Sequence, residues 1–469
     1  MSRISQISLL LALRLTLTAT AIAADLPSNQ ATSAPLTLQH TARKGDSLPS
    51  VARMYLDRTS FLSSSELIAA IHEANPNHKG TFFKAGEAVT IPGLLAAAIV
   101  EKPFPVARDF EVRAIYLTGL MAGSDRGRQI IRHWRQVGGN AVVFDIKDSD
   151  GLITIPFDHP LAGVQKLHPL RDLPKFTHFL HSLGLHAIAR VAIFRDEHLV
   201  TTHPELGVQS HRSKQPWREN GKLVWTDPSQ PKVQEFDIAL ARKAAEGGAD
   251  EIQFDYVRFP AEGDQKDASF HFQTEHPKWQ RSDVIADFLD HAYAQLHPMG
   301  VLLSLDVFGV MAWQRPVDLA HTGQDIVKMA KFCDVLSPMI YPSHFFGMDG
   351  YAKPGDAPEH FIGASMERFQ KITQGSGVVL RPWLQAFAWR TKTYSPQYIL
   401  TQMSASESKG GIGFLFWNAR NDYAKPYSAF GQVARSHKQY FRGDELSDAA
   451  RTAAIPAQNP AFKPVSVKQ

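Results

Sequence analysis

Glu251-Ile252-Gln253-Phe254-Asp255-Tyr256-Val257-Arg258-Phe259-Pro260 reads as a buried β-strand with a carboxylate near its C-terminal end. Gly247 and Gly248 stop the preceding helix, and Pro260 stops the strand. A carboxylate in such a run is costly unless it is paired or used. Seven further apolar strands recur at 112–118, 141–147, 186–194, 301–308, 335–341, 378–388 and 412–418. Amphipathic helices, among them 126–137, 233–246, 283–296 and 325–332, occupy the intervals. Strands alternating with helices over 112–441 predict a (β/α)8 TIM barrel, whose chemistry belongs at the C-terminal ends of the strands. An open doubly wound sheet would carry a glycine-rich phosphate turn after its first strand. Thr118-Gly119-Leu120-Met121-Ala122-Gly123 is a poor version of it.

Before the barrel, 38–93 forms a compact βααβ unit. Lys44-Gly45-Asp46-Ser47-Leu48 gives a turn with a helix cap, Val51, Ala52, Met54 and Tyr55 follow at helical spacing, and a second helix covers 65–75. With Asn75-Pro76 and the closing Ile91-Pro92, this unit resembles a LysM domain, although its segment between the helices, 57–64, is longer than usual. The resemblance implies binding to a polymer containing N-acetylglucosamine, of the peptidoglycan or chitin type. A linker is expected at 94–111 and a loose polar tail at 442–469.

The chain has 469 residues, enough for a full barrel and a small second unit. Its 50 basic and 46 acidic residues leave a formal charge of +4, too small an excess to indicate nucleic acid. Residues 1–24 read as a secretory signal, with Arg3 in the n-region, an apolar run from Leu9 to Leu17, and Ala21-Ile22-Ala23 at the cleavage site. The expectation is an exported protein, periplasmic or extracellular, with no membrane-spanning segment once the signal is removed. Cys333 is the single cysteine, so there is no internal disulfide and no cysteine-based metal site. No cofactor and no metal is expected, since no HxH or HExxH spacing accompanies the carboxylates.

Polar residues gather at the strand ends. They are Asp145, Lys147 and Asp148 on the second strand, Arg190 and Arg195 on the third, Gln253, Asp255 and Arg258 on the fourth, and Asp306 on the fifth. Tyr341 and His344 follow the sixth, Gln385 the seventh, and Trp417 and Asn418 the eighth. Period-two alternation makes Asp145 and Lys147 share a face, as do Gln253 and Asp255, and both pairs are expected to point inward and upward. Glycoside hydrolysis needs two carboxyl groups flanking the bond. Asp255 and Asp306 end adjacent strands and are the expected catalytic pair. Lys147 or Arg258 would keep one of them ionised, and the apolar flanks Leu303, Leu305 and Phe308 favour Asp306 as the proton donor. Asp145, Lys147, Arg190, Gln253, Arg258, Tyr341, His344, Gln385, Trp417 and Asn418 are expected to bind substrate. Long loops at 195–232, 260–282 and 342–362 carry Trp217, Trp225, Trp279, Phe345 and Phe346 as expected walls of a ligand cleft.

Val143-Phe144-Asp145-Ile146-Lys147-Asp148, Trp225-Thr226-Asp227-Pro228, Phe254-Asp255-Tyr256-Val257-Arg258-Phe259-Pro260 and Ser337-Pro338-Met339-Ile340-Tyr341-Pro342-Ser343-His344 resemble motifs of a bacterial family of (β/α)8 barrels described as glycoside hydrolases, distantly related to the α-amylase clan. The resemblance covers nearly the whole barrel. It implies a nucleophile at Asp255 and an acid at Asp306, where that clan usually has the longer glutamate. The expectation is an exported hydrolase of a cell-wall or extracellular polysaccharide. Two other readings keep the same residues: a glycan-binding scaffold with a degenerate hydrolase barrel, and a carbohydrate-active barrel of another reaction type, such as a lyase or transglycosidase.

Overall fold

The structure, a computed structural model, describes residues 36–165 and 167–433. The leader expected at 1–24 and the tail expected at 442–469 lie outside the described residues. None of the helices described is long and apolar enough to cross a membrane.

Strand β1 (Leu36–Thr41), helices α1 (Leu48–Tyr55) and α2 (Ser64–Ala74), and strand β2 (Ala88–Leu94) form the N-terminal unit, with β1 antiparallel to β2. Ser47 and Ser63 cap the two helices through their hydroxyls. Leu48, Val51, Ala52, Leu67, Ile71, Val89 and Ile91 pack into a core separate from that of the barrel. Asn75 staples the unit: its amide donates to the carbonyls of Ile71 and Thr90 and accepts from the Thr90 N–H.

The barrel strands are β3 (Arg113–Leu117), β4 (Ala141–Lys147), β5 (His186–Ala192), β6 (Glu251–Asp255), β7 (Leu302–Phe308), β8 (Val335–Ile340), β9 (Val379–Leu380), β10 (Trp383–Gln385) and β11 (Phe414–Trp417). All pair in parallel, and β11 returns to β3, so the sheet closes. Strands β9 and β10 both pair with β8 and are halves of one stave. Pro382, which has no N–H to give the ladder, stands between them. The result is an eight-stave (β/α)8 barrel. Its outer shell includes α3 (Asp125–Gln136), α4 (Leu173–Ser182), α5 (Pro231–Glu246), α6 (Arg281–Leu296), α7 (Pro358–Ile372) and α8 (Pro396–Glu407).

Period-two alternation builds two cores. Val142, Phe144, Ala187, Ala189, Ile252, Phe254, Leu303 and Leu305 face the helices. Ala114, Tyr116, Ala141, Val143, Ile188, Trp383 and Leu415 cluster inside. On β6 the other file is Glu251, Gln253 and Asp255, all polar and all buried.

Two local breaks correct the strand readings. The fourth strand ends at Asp255, not Phe259, because Tyr256 turns the chain with φ of 55°. On β4 the pairing shifts between Asp145 and Lys147, so the two residues do not share a face.

The segment 94–111 is fastened along the barrel. Glu101 meets His178 at 2.6 Å and His181 at 3.0 Å on α4, and the Phe104 N–H donates to Asp250. The N-terminal unit itself rests on the first turns of α3 and α4. Ser63 donates to Asp125, Arg128 pairs with Glu66 at 2.9 Å, and the Lys175 ammonium donates to the carbonyls of Leu56 and Asp57.

Candidate active site

At the C-terminal end of the barrel, Arg190 projects from β5 between two carboxylates. Its Nη1 donates to Asp145 Oδ1 at 2.5 Å, and its Nε and Nη2 to Asp255 Oδ2 at 3.1 and 2.6 Å. Asp148 lies 3.3 Å from the same Nη1. Asp255 also accepts the N–H of Tyr256 at 2.6 Å, giving it three N–H donors, a set suited to a carboxylate. Asp145 accepts a hydrogen bond from the Tyr116 hydroxyl at 2.5 Å. Burial pushes the Asp145 carboxyl up to about 7, with Arg190 opposing it and Asp148 adding to it.

Asp306 is 1% exposed on the neighbouring stave and accepts the Trp383 indole N–H at 2.6 Å. Burial raises its carboxyl well above the usual range, and the nearby charge of Asp255 raises it further. The mouth therefore combines an aspartate gripped by a guanidinium with a second aspartate whose carboxyl burial raises well above the usual range. That asymmetry is the composition of an acid paired with a nucleophile or base.

The backbone around this pair is shaped for it. Tyr256 occupies the left-handed region immediately after Asp255, a conformation that costs a residue bearing a Cβ about 1–2 kcal/mol and is concentrated at functional sites. Gly119, at the turn after β3, passes so close to β4 that a Cβ there would lie 2.1 Å from the Thr154 methyl and 3.1 Å from the Asp145 carbonyl.

The other expected residues fall into distinct places. Lys147 is absent from the mouth: the shifted pairing on β4 turns it outward, where it is fully buried between Asp196 at 2.8 Å and Asp237 at 2.7 Å. Arg258 does not reach Asp255. It lies over the rings of Phe308, Trp225 and Tyr256 at 4.3, 4.7 and 5.5 Å, and Arg190 holds the carboxylate instead. Gln253 sits one layer below Asp255, fully buried, with its amide donating to Ser337. Gln385 and Asn418 spend their amide hydrogens on the rim. Gln385 donates to the Phe387 carbonyl and Thr391, and Asn418 to the carbonyls of Ala386 and Asp422. Both shape the loops rather than offering free donors to a ligand.

Tyr341, His344 and Trp417 meet in an aromatic wall. Tyr341 stacks on Trp417 at 5.7 Å, and Phe387 and Trp389 complete the wall beside His344. Of the loop aromatics, Trp217, Trp225 and Phe345 are buried in the shell and are not cleft walls, whereas Phe346 is exposed against Trp389. Tyr116 and Trp383 are the site residues that the strand-end reading missed. Each lies two residues from an inward neighbour on its strand, Ala114 and Gln385, so alternation alone could have located both. Among the described residues, no group of three or more His, Cys, Asp or Glu could hold a metal ion.

A family model described as "Putative glycosyl hydrolase domain", DUF4015, matches residues 114–423. No curated protein matches the chain. Among solved structures, the PgaB (BpsB) glycoside hydrolase domain of Bordetella bronchiseptica is similar in fold, with a TM-score of 0.51 and 16% identity over 74% of this chain and 100% of that one. A hypothetical protein from Ruminiclostridium thermocellum ATCC 27405 is 35% identical, covering 41% of this chain and 97% of that one, with a TM-score of 0.37.

Proposed function

Since the chain belongs to the DUF4015 family of glycosyl hydrolase domains, we propose that it is an exported enzyme that cleaves a cell-wall or extracellular polysaccharide with Asp255 and Asp306. The observation that carries the reading is the contrast between the two carboxyl groups at the mouth. Asp255 receives two guanidinium N–H groups and one backbone N–H, while Asp306 is buried, touched by one indole N–H, and has its carboxyl raised well above the usual range. In the proposed reaction the Asp306 proton passes to the glycosidic oxygen as the bond to the anomeric carbon breaks. Asp255 attacks that carbon as nucleophile, and Arg190 positions it. Tyr341, Trp417 and His344 supply ring faces for a sugar at the rim.

The LysM-like reading of the N-terminal unit rests on its βααβ order and motifs, and its proposed role is to hold the same polymer. Its contacts to α3 and α4, near the C-terminal rim, support a polymer shared between unit and mouth, which raises local substrate concentration. Export rests on the leader at 1–24.

The test is release of reducing ends from purified wall polysaccharides and exopolysaccharides, with Asp255→Asn as control. Products from the native chain and none from the variant support the reading. Binding of a polymer with no products from either would support the scaffold instead.

A further inference from the structure

Two cations at the mouth take no part in gripping the carboxylates. Arg190 is consumed by Asp145, Asp148 and Asp255. Arg258 is 8% exposed, and its one hydrogen bond runs from Nη1 to the Phe259 carbonyl at 3.0 Å. Among the described residues no carboxylate comes within 4.0 Å of Arg258 or of Arg195, while both guanidiniums lie 5.5 Å from the ring centroid of Tyr256. Tyr256 is the left-handed residue whose N–H holds Asp255, so the same turn that builds the reaction centre gathers these two charges beside it.

Such a pair is unfavourable as structure. Burial brings Arg258 down to about 10 against weaker help from Tyr256, Glu219 and Asp255, and the nearby charge of Arg195, a smaller effect than any of these, lowers it too. A buried ion without a counter-ion is costly, and like charges side by side add to the cost. The cost falls when an anion arrives. Ring stacking occupies the flat face of a guanidinium and leaves its N–H edge for a planar oxyanion, the geometry at which arginine outperforms lysine.

We propose that the mouth takes an acidic glycan, and that Arg195 and Arg258 form the subsite for a sugar carboxylate next to the cleaved bond. This rests on the hydrolase reading of the same mouth and names its substrate class. It makes Arg195 and Arg258 specificity residues, separate from the pair that performs the chemistry.

The experiment is calorimetric titration of the full-length Asp255→Asn chain, which binds without turnover. The probes are oligomers of polygalacturonate, polymannuronate and hyaluronan, each beside its carboxyl-reduced form, with a sulfated carrageenan oligomer as a further arm. At least one carboxylated oligomer should bind roughly tenfold or more tighter than its reduced form, weakening with salt. Arg195→Gln should remove about tenfold of that preference while leaving the reduced oligomer within about twofold. Should Arg258→Gln fail to fold, Arg258→Lys keeps the charge without the fork and should still lose several-fold. The inference is overturned if no carboxylated oligomer exceeds its reduced form, or if the sulfated oligomer alone binds. Product release by the native chain separates the two readings. Selective binding with no products would sink hydrolysis and leave the subsite, whereas cleavage confined to uncharged glycans would sink the subsite and leave hydrolysis.

Discussion

At the floor of the barrel Glu251 is fully buried, yet Arg381, aided by His186, overrides the effect of burial and holds its carboxyl at about 2. At the mouth Asp306 is just as buried, and there burial prevails, so its carboxyl rises well above the usual range. The difference lies in the partners. Glu251 meets the Arg381 guanidinium at 2.8 and 2.9 Å and His186 at 3.1 Å. Asp306 has a neutral indole and a neighbouring carboxylate. The same barrel therefore carries one buried carboxyl held down by its cation and another that burial drives up. Burial alone does not set the direction of the shift; the partners do.

The largest expected break in this comparison is Asp255→Asn. It should lower turnover by about 10³-fold or more while the fold and glycan binding persist, read as kcat by single-turnover kinetics. The floor should respond in the opposite way. Arg381→Met strands a buried carboxylate and should cost about 3–5 kcal/mol of stability in denaturant titration, with kcat of the folded fraction nearly unchanged. A large fall in kcat there would erase the distinction between the two ends.

Asp306→Asn should cripple cleavage of substrates with poor leaving groups, by about 10²-fold or more, and spare activated aryl glycosides. Equal loss on both would remove Asp306 from the acid role. Activity should also fall as pH rises past 7. Asp145, whose carboxyl is raised to about 7, gains its negative charge there and changes the field around Arg190.

The smallest effect belongs to the clamp on the connecting segment. Two hydrogen-bonded histidines, led by His178, hold Glu101 down to about 2 against burial, and Asp250 and Glu101 lift His181 to about 9 against burial. The Glu101 contribution is complete above its ordinary value of 4.5 and disappears as pH falls toward 2. The His181 contribution is complete below 6.5 and disappears as pH rises through 9. Glu101→Gln should cost about 1 kcal/mol near pH 5.5 and less at pH 10, with faster proteolysis between the N-terminal unit and the barrel.

The barrel was legible because its strands and helices carry strong, distinct periods, and because Gly247 and Gly248 punctuate them. Asp255 and Asp306 could be picked out because each is a carboxylate in an apolar run on adjacent staves. The supporting cast was harder to read. A one-residue shift in the β4 pairing moved Lys147 to the outside, and nothing in Val143-Phe144-Asp145-Ile146-Lys147 announces it. The left turn at Tyr256 took Arg258 out of strand alternation, because a tyrosine gives no warning of positive φ as glycine would. The loop tryptophans read as cleft walls since length and aromaticity do not reveal which way a ring packs. Trp217 and Trp225 fill the shell instead.

The account turns on the protonation state of Asp306, and infrared spectroscopy of the full chain carrying ¹³C-labelled aspartate reads it directly. At pH 7 the native protein should show protonated-aspartate carbonyl intensity of which one component is lost in Asp306→Asn and kept in Arg381→Met, while the component of Asp145, whose carboxyl is raised to about 7, remains in both. Finding Asp306 ionised at pH 7, with no such component to lose, would contradict the account.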